Sequence, residues 1–253
     1  MVLKKIREQL KWLDPFTYVD IYVIPKVNPK NNETLNWIIY LISAFVFAWI
    51  IYTGFGILLG TQSPMMIVVS ASMEPLYHRG DIVVLQGATP ENLAGAEVQL
   101  QLPSLREKEF ASFAEPIYSN GGSGTIESIK FNSGRQIPIT REGSVVVYWS
   151  NHMQEPIVHR VAAKLFAGDG MYVLTKGDSA FNSTIDQDCG LVLNGQPQKN
   201  CIELYPVPLE RLQGKVILQV PLLGCAKLWL LDDLGSLITK GKLPAEITPG
   251  NIC

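Results

Sequence analysis

From Trp37 to Gly60 the chain carries no Lys, Arg, Asp or Glu. A helix over this run would reach roughly 36 Å, enough to cross a bilayer with some tilt. Its apolar residues surround every face instead of forming one stripe, which argues against a helix buried in a water-soluble core. A cleavable secretory leader fits less well, because the segment ahead of the run is long and the apolar stretch exceeds that class. The expected organisation is an N-terminal segment over residues 1–35, a transmembrane helix over 36–60, a β-rich domain over 61–221 and a tail over 222–253.

Lys26 and Lys30 precede the run, and Arg79 is the first basic residue after it. The positive-inside rule then leaves residues 1–35 cytoplasmic and the 61–221 domain exported. The part beyond the membrane run is one domain of about 160 residues, long enough to bury a core without metals. A net charge of −2, with no basic stripe or acidic block, excludes nucleic acid as the expected partner.

Short apolar runs bounded by Gly, Pro, Asn and Asp recur at Met66–Val69, Asp81–Leu85, Glu97–Leu102, Val145–Trp149, Ile157–Ala162, Tyr172–Thr175 and Lys215–Val220. They predict an antiparallel sandwich or partly open barrel. Arg79 to Leu85 and Arg141 to Tyr148 echo one another as polar turns feeding buried strands. The Arg79-Gly80-Asp81 triplet is therefore read as a turn and not as an adhesion signal. Residues 103–141 are expected to be an inserted hairpin region, read as a surface insertion in preference to a substrate or partner contact.

The four cysteines lie in the last quarter of the chain. Cys189 and Cys201 bracket Leu191-Val192-Leu193, the turn pair Asn194-Gly195 and the alternation Ile202-Glu203-Leu204. A disulfide across this hairpin and a pair of free thiols are equally compatible with the spacing, and Cys225 and Cys253 stay unassigned. No Cys and His spacing matches a zinc site. Pro221 to Leu231 is too short to span a bilayer, although Lys227 and Trp229 suit an interfacial segment and an ordinary core helix fits nearly as well.

Of the three histidines, His78 and His152 lie in polar turns. His159 differs, because alternation sets Ile157, His159 and Val161 on one strand face and Val158, Arg160 and Ala162 on the other. Burial among apolar neighbours disfavours the imidazolium and a nearby carboxylate favours it, a balance suited to a general base. The loop after Thr175 supplies Asp178, Asp186 and Asp188 as candidate orienting carboxylates.

Ser70-Ala71-Ser72-Met73-Glu74-Pro75, Gly80-Asp81-Ile82-Val83-Val84, His159-Arg160 and Lys176-Gly177-Asp178 occur in this order behind the apolar run. This series resembles the type I signal peptidases of the archaeal and endoplasmic-reticulum branch, over residues 36–225. The resemblance implies a mainly β fold, an antiparallel β catalytic domain anchored by one N-terminal transmembrane helix. It also implies a membrane-bound serine endopeptidase that removes signal peptides from exported preproteins at the outer face of the cell or endoplasmic-reticulum membrane. Its expected partners are signal peptides, the lipid bilayer and the export machinery, with no cofactor and no metal. By the same resemblance Ser72 is the nucleophile, and His159 stands where the bacterial branch has a lysine base. The Ser72 amide and the Ser70 hydroxyl would form the oxyanion hole, and Asp186, with Asp178, would orient the imidazole. Small side chains ahead of the cut would need shallow pockets, with Met66 and Val68 as candidate walls. The chain departs from the pattern in the spacing of Asp186 and Asp188 after Asp178, and in having Ser179 where Asn is usual. Asp186 is preferred and Asp188 stays open.

Two rival readings compete with this one. A self-cleaving repressor-type protease would use Ala94-Gly95, but those proteins place the cut upstream of the nucleophile, use a lysine and lack an anchor. A catalytically inactive β module that presents substrates to a partner is the second.

Overall fold

Asn32 accepts a hydrogen bond from the Leu35 amide at the start of the long helix, and Glu33 follows in its first turn, where a carboxylate complements the helix dipole. In the computed structural model, which describes residues 14–119, 124–190, 192–193, 196–197 and 200–228, this helix runs Glu33–Leu59. It thus begins ahead of the expected 36 because the cap lies at Asn32. Short helical segments at Pro15–Tyr18, Val19–Val23 and Ile24–Val27 precede it, and Asn28 ties the intervening turn by donating to the Asn32 carbonyl and the Asn36 side chain. Trp37, Phe45, Trp49, Ile57 and Leu58 are all exposed along the long helix, and among the described residues it is the one helix long and apolar enough to cross a membrane. The described residues up to Leu58 form one compact unit and those from Leu59 onward another.

The second unit is built on antiparallel strands. Its main sheet contains β1 (Met65–Ile67), β2 (Ile82–Gln86), β7 (Val145–Ser150), β8 (Glu155–Ala167), β9 (Gly170–Lys176), β12 (Val207–Pro208) and β13 (Leu212–Val220), in the order β1-β2-β13-β7-β8-β9-β12. β3 (Ala96–Gln99) adds to β8 in parallel. All seven apolar runs seen in the sequence become strands, with β8 extended well beyond its predicted ends. The two echoing runs are β2 and β7, which flank β13 on either side. Arg79-Gly80-Asp81 is a structural turn: Gly80 has φ 89°, a conformation that glycine adopts without cost, and Asp81 is buried and accepts from the His78 and Leu222 amides.

The inserted region corrects its expectation. β4 (Ala114–Tyr118), β5 (Ile126–Phe131) and β6 (Gln136–Pro138) form a second antiparallel sheet. Phe110, Phe113, Ile129 and Phe131 join Leu165, Leu174 and Ile185 in the largest buried cluster. Far from being a surface appendage, the region is a second layer. Each fully buried Leu, Ile or Phe contributes about 1.5–3 kcal/mol.

The expected hairpin closes earlier than its sequence suggests. β10 (Val192–Leu193) pairs with β11 (Gln196–Pro197), whereas Ile202–Leu204 is not a strand. Cys189 and Cys201 are joined by a disulfide, and no described cysteine is free. Closing a loop of this length removes about 3 kcal/mol of chain entropy from the unfolded state. Of the tail, Cys225–Lys227 is a short helix preceded by a turn; Trp229, Leu230 and Leu231 of the proposed interfacial segment lie outside the described residues.

Candidate active site

The serine loop hangs from a core anchor. Met73 is 0% exposed and packs with Val68, Tyr77, Val83 and Val147, so the residue after Ser72 is pinned while Ser72 stays half-buried. The Ser70 and Ser72 hydroxyl oxygens lie 3.2 Å apart. The Ser72 carbonyl accepts from the Ser179 amide at 3.0 Å and from Asn182 Nδ2 at 2.9 Å. Gly177 permits this approach: a Cβ there would lie 1.9 Å from Asn182 Nδ2 and 2.6 Å from the Ser72 carbonyl oxygen. Asn182 escapes notice in the sequence because only the chain reversal over Gly177 brings its side chain to the Ser72 carbonyl.

His159 sits in the middle of β8, opposite Val146, and is 1% exposed. His78 and His152 are exposed. Val161 and Ile157 share the cluster of Val146 and Tyr148, while Val158 joins the Met73 cluster, in agreement with the predicted alternation. Nδ1 of His159 lies 2.6 Å from Asp186 Oδ2. The same oxygen accepts from Thr175 Oγ1 at 2.6 Å and from the Tyr148 hydroxyl at 2.8 Å. Thr175 is held in turn by Gln187, whose Oε1 accepts from its amide and whose Nε2 donates to its hydroxyl. The Asp186 amide donates to the Thr175 carbonyl, and the Asp186 carbonyl accepts from the Ile202 and Glu203 amides.

Burial pushes the Asp186 carboxyl upward, but the charge and hydrogen bond of His159, with the Thr175 and Tyr148 hydroxyls, more than offset it and leave the group below its ordinary value. Asp186 therefore stays a carboxylate. Burial, followed by the facing Asp186 charge, holds the Tyr148 phenol well above its ordinary value, so it remains a donor.

The three loop carboxylates separate. Asp186 meets the histidine. Asp188 accepts from Tyr118 and Thr184 and is held by the inserted layer. Asp178 does not orient the imidazole as expected: both its oxygens are taken by Arg160, Oδ1 by Nε at 2.8 Å and Oδ2 by Nη2 at 2.6 Å. The reason is alternation, since Arg160 and His159 occupy opposite faces of β8. Tyr148 and Thr175 were legible only with the register in hand: Tyr148 pairs with Ile157 and Thr175 with Val161, which puts both on the face of His159.

Ser70, Ser72 and His159 line one mainly apolar cavity of roughly 220 Å³, with Met66, Val68, Met153, Glu155 and Ile157 among its other walls. Met66 and Val68 are the two residues expected to wall a shallow pocket. An alcohol and a carboxylate-backed imidazole opening into one apolar cleft can support nucleophilic acyl transfer.

No protein-family profile matches the chain. Curated relatives do. The signal peptidase complex catalytic subunit SEC11 of Fusarium vanettenii is 27% identical over 209 residues, spanning 81% of this chain and 84% of that protein. The Schizosaccharomyces pombe subunit of that name is 26% identical over 206 residues, 79% of this chain and 82% of its own. SEC11C of Pongo abelii is 28% identical over 186 residues, 72% and 68%. The chain is thus similar, over most of its length, to catalytic subunits of the signal peptidase complex.

Proposed function

We propose that this protein is a membrane-anchored serine endopeptidase that removes signal peptides from exported preproteins, with Ser72 as nucleophile and His159 as general base. The observation that carries the reading is the shared cleft of Ser70, Ser72 and His159, backed by the 2.6 Å contact between His159 and Asp186. With Nδ1–H directed at Asp186, Nε2 is left as the basic nitrogen. It takes the Ser72 proton as Oγ attacks the carbonyl that ends the signal peptide. The Ser72 amide and the Ser70 hydroxyl stabilise the oxyanion, a donor of that kind being worth about 3–4 kcal/mol in the transition state. The imidazolium protonates the leaving amine, and water, deprotonated by the same nitrogen, releases the acyl group. Asp186 keeps the tautomer. Asp178 acts at one remove, by holding Arg160.

Substrate and enzyme would meet at the lipid surface, since Ser72 is tethered within roughly 40 Å of chain from Gly60. The basic residues ahead of the helix favour a cytoplasmic N-terminus and an exported catalytic unit, in an endoplasmic-reticulum or cell membrane. The names of the relatives, catalytic subunits of a complex, extend the reading to assembly with further subunits.

The test uses full-length protein in detergent micelles with a preprotein substrate. Wild type is expected to cleave, and Ser72→Ala and His159→Ala are expected to be folded and inactive. Cleavage retained by either variant overturns the assignment. Protease added to sealed vesicles of known orientation checks topology, with a catalytic unit on the cytoplasmic face as the contrary result.

A further inference from the structure

A second cavity, roughly 310 Å³, lies between the inserted sheet and the end of β9, walled by Ile126, Thr140, Arg141, Arg160, Lys176 and Ser179 among others. Its charges do not balance. Asp178, its one carboxylate, gives both oxygens to Arg160, whose remaining Nη1 donates to the Gly143 carbonyl, so that pair is closed on itself. Lys176 Nζ donates to the Gly177 carbonyl at 2.8 Å and has no salt bridge among the described residues. Arg141 is exposed and has no hydrogen-bond or ion-pair partner among them. Two cations thus face one space with no ion-pair partner among the described residues. Burial, only partly offset by Asp178 and Asp186, holds the Lys176 ammonium below its ordinary value, and Arg141 adds to that cost.

The position matters as much as the charge. Ser179 lines this cavity while its amide holds the Ser72 carbonyl at 3.0 Å, so the space opens one residue from the candidate nucleophile. It is lined by Arg160, Val161 and Ala162 of β8 where the apolar cleft is lined by the residues from Glu155 to His159, and hence lies farther along the same strand from that cleft. A signal peptide ends in small apolar side chains that suit the Met66 and Val68 walls. The cationic cavity is left for the residues on the mature side of the cut.

Resting on the peptidase reading, we propose that this cavity receives an Asp or Glu side chain carried by the substrate within the first few residues after the scissile bond. A carboxylate there would sit against Arg141 and Lys176 and neutralise the space that Asp178 leaves positive.

The experiment pairs full-length protein in phosphatidylcholine vesicles with precursors that differ only by Asp or Asn at each of the first three mature positions. Wild type is expected to show kcat/KM about fivefold higher for Asp at one of them, the scale of a partly exposed charge pair. Arg141→Glu should erase or invert that ratio and favour Lys at the same place; Arg141 is exposed, so the fold should tolerate the change. A second arm measures binding of fluorescent peptides with the mature-end sequence to Ser72→Ala, where Asp should again exceed Asn. Equal rates and equal binding for Asp and Asn overturn the proposal, as does a preference that survives Arg141→Glu. An Arg141→Glu defect that appears only with added phosphatidylserine, whatever the substrate side chain, overturns it in favour of a lipid headgroup. Absence of cleavage by wild type with intact Asp-over-Asn binding would instead defeat the peptidase reading and leave the anion pocket standing.

Discussion

The two faces of β8 present nearly the same ingredients with opposite outcomes. On one, His159 meets Asp186; on the other, Arg160 meets Asp178, and both carboxylates come from a single loop. Arg160 and Asp178 match fork to fork, two donors on two oxygens, and the guanidinium keeps its proton throughout. His159 offers Asp186 one nitrogen and keeps the other for chemistry, while Thr175 and Tyr148 fill the remaining capacity of the same oxygen. A guanidinium tied by two donors to two oxygens makes a brace, and an imidazole tied by one nitrogen keeps a second for proton transfer. The same strand supplies both because its side chains alternate.

The comparison can be broken most sharply at the base itself: Asp186→Asn should leave the fold intact and lower kcat about 10⁴-fold by favouring the wrong tautomer. Cleavage kinetics on one preprotein check this, and a loss below tenfold would move the orienting role elsewhere. Asp178→Asn should do the reverse, with kcat within about tenfold but stability lower by about 3 kcal/mol, because a half-buried guanidinium loses its charge partner. Chemical denaturation in detergent alongside turnover reads both quantities. Thr175→Val should cost about 1–3 kcal/mol of stability by leaving the Gln187 amide short of a partner, with a smaller rate effect. Asn182→Ala removes one of two donors to the Ser72 carbonyl and should lower kcat a few-fold without changing KM, the mark of a positioning role.

Acid sharpens the contrast. The Asp186 carboxyl lies below its ordinary 3.8 in the fold. The unfolded chain therefore binds the proton more readily, and the stabilisation is present above that ordinary value and lost as the pH falls through the lower, folded one. Asp186→Asn should flatten this part of the acid-unfolding curve, measured by tryptophan fluorescence. An unchanged curve would show that the carboxylate contributes nothing there.

Ser72 was singled out through the resemblance of its serine box, whereas His159 was marked by local chemistry, an imidazole in an apolar alternation. The seven main strands were legible for the same reason, as apolar runs between turn formers. Choosing among Asp178, Asp186 and Asp188 was another matter, since spacing along an irregular loop carries no direction, and the answer depends on Tyr118 of the inserted layer taking Asp188 and on Arg160 taking Asp178. The depth of residues 103–141 was likewise hidden. Its Phe110, Phe113 and Phe131 reveal a core only once their partners on β8 and β9 are known. Asn182 was missed because its role depends on a chain reversal that brings it back over Gly177.

Met73, the neighbour of the proposed nucleophile, lies in a hydrophobic plug. An oxygen carried on such a plug drifts as soon as the surrounding methyl groups loosen, well before the strands part. Gentle warming should therefore silence the enzyme while its circular dichroism is still native, so that turnover acts as a thermometer for the packing beneath it.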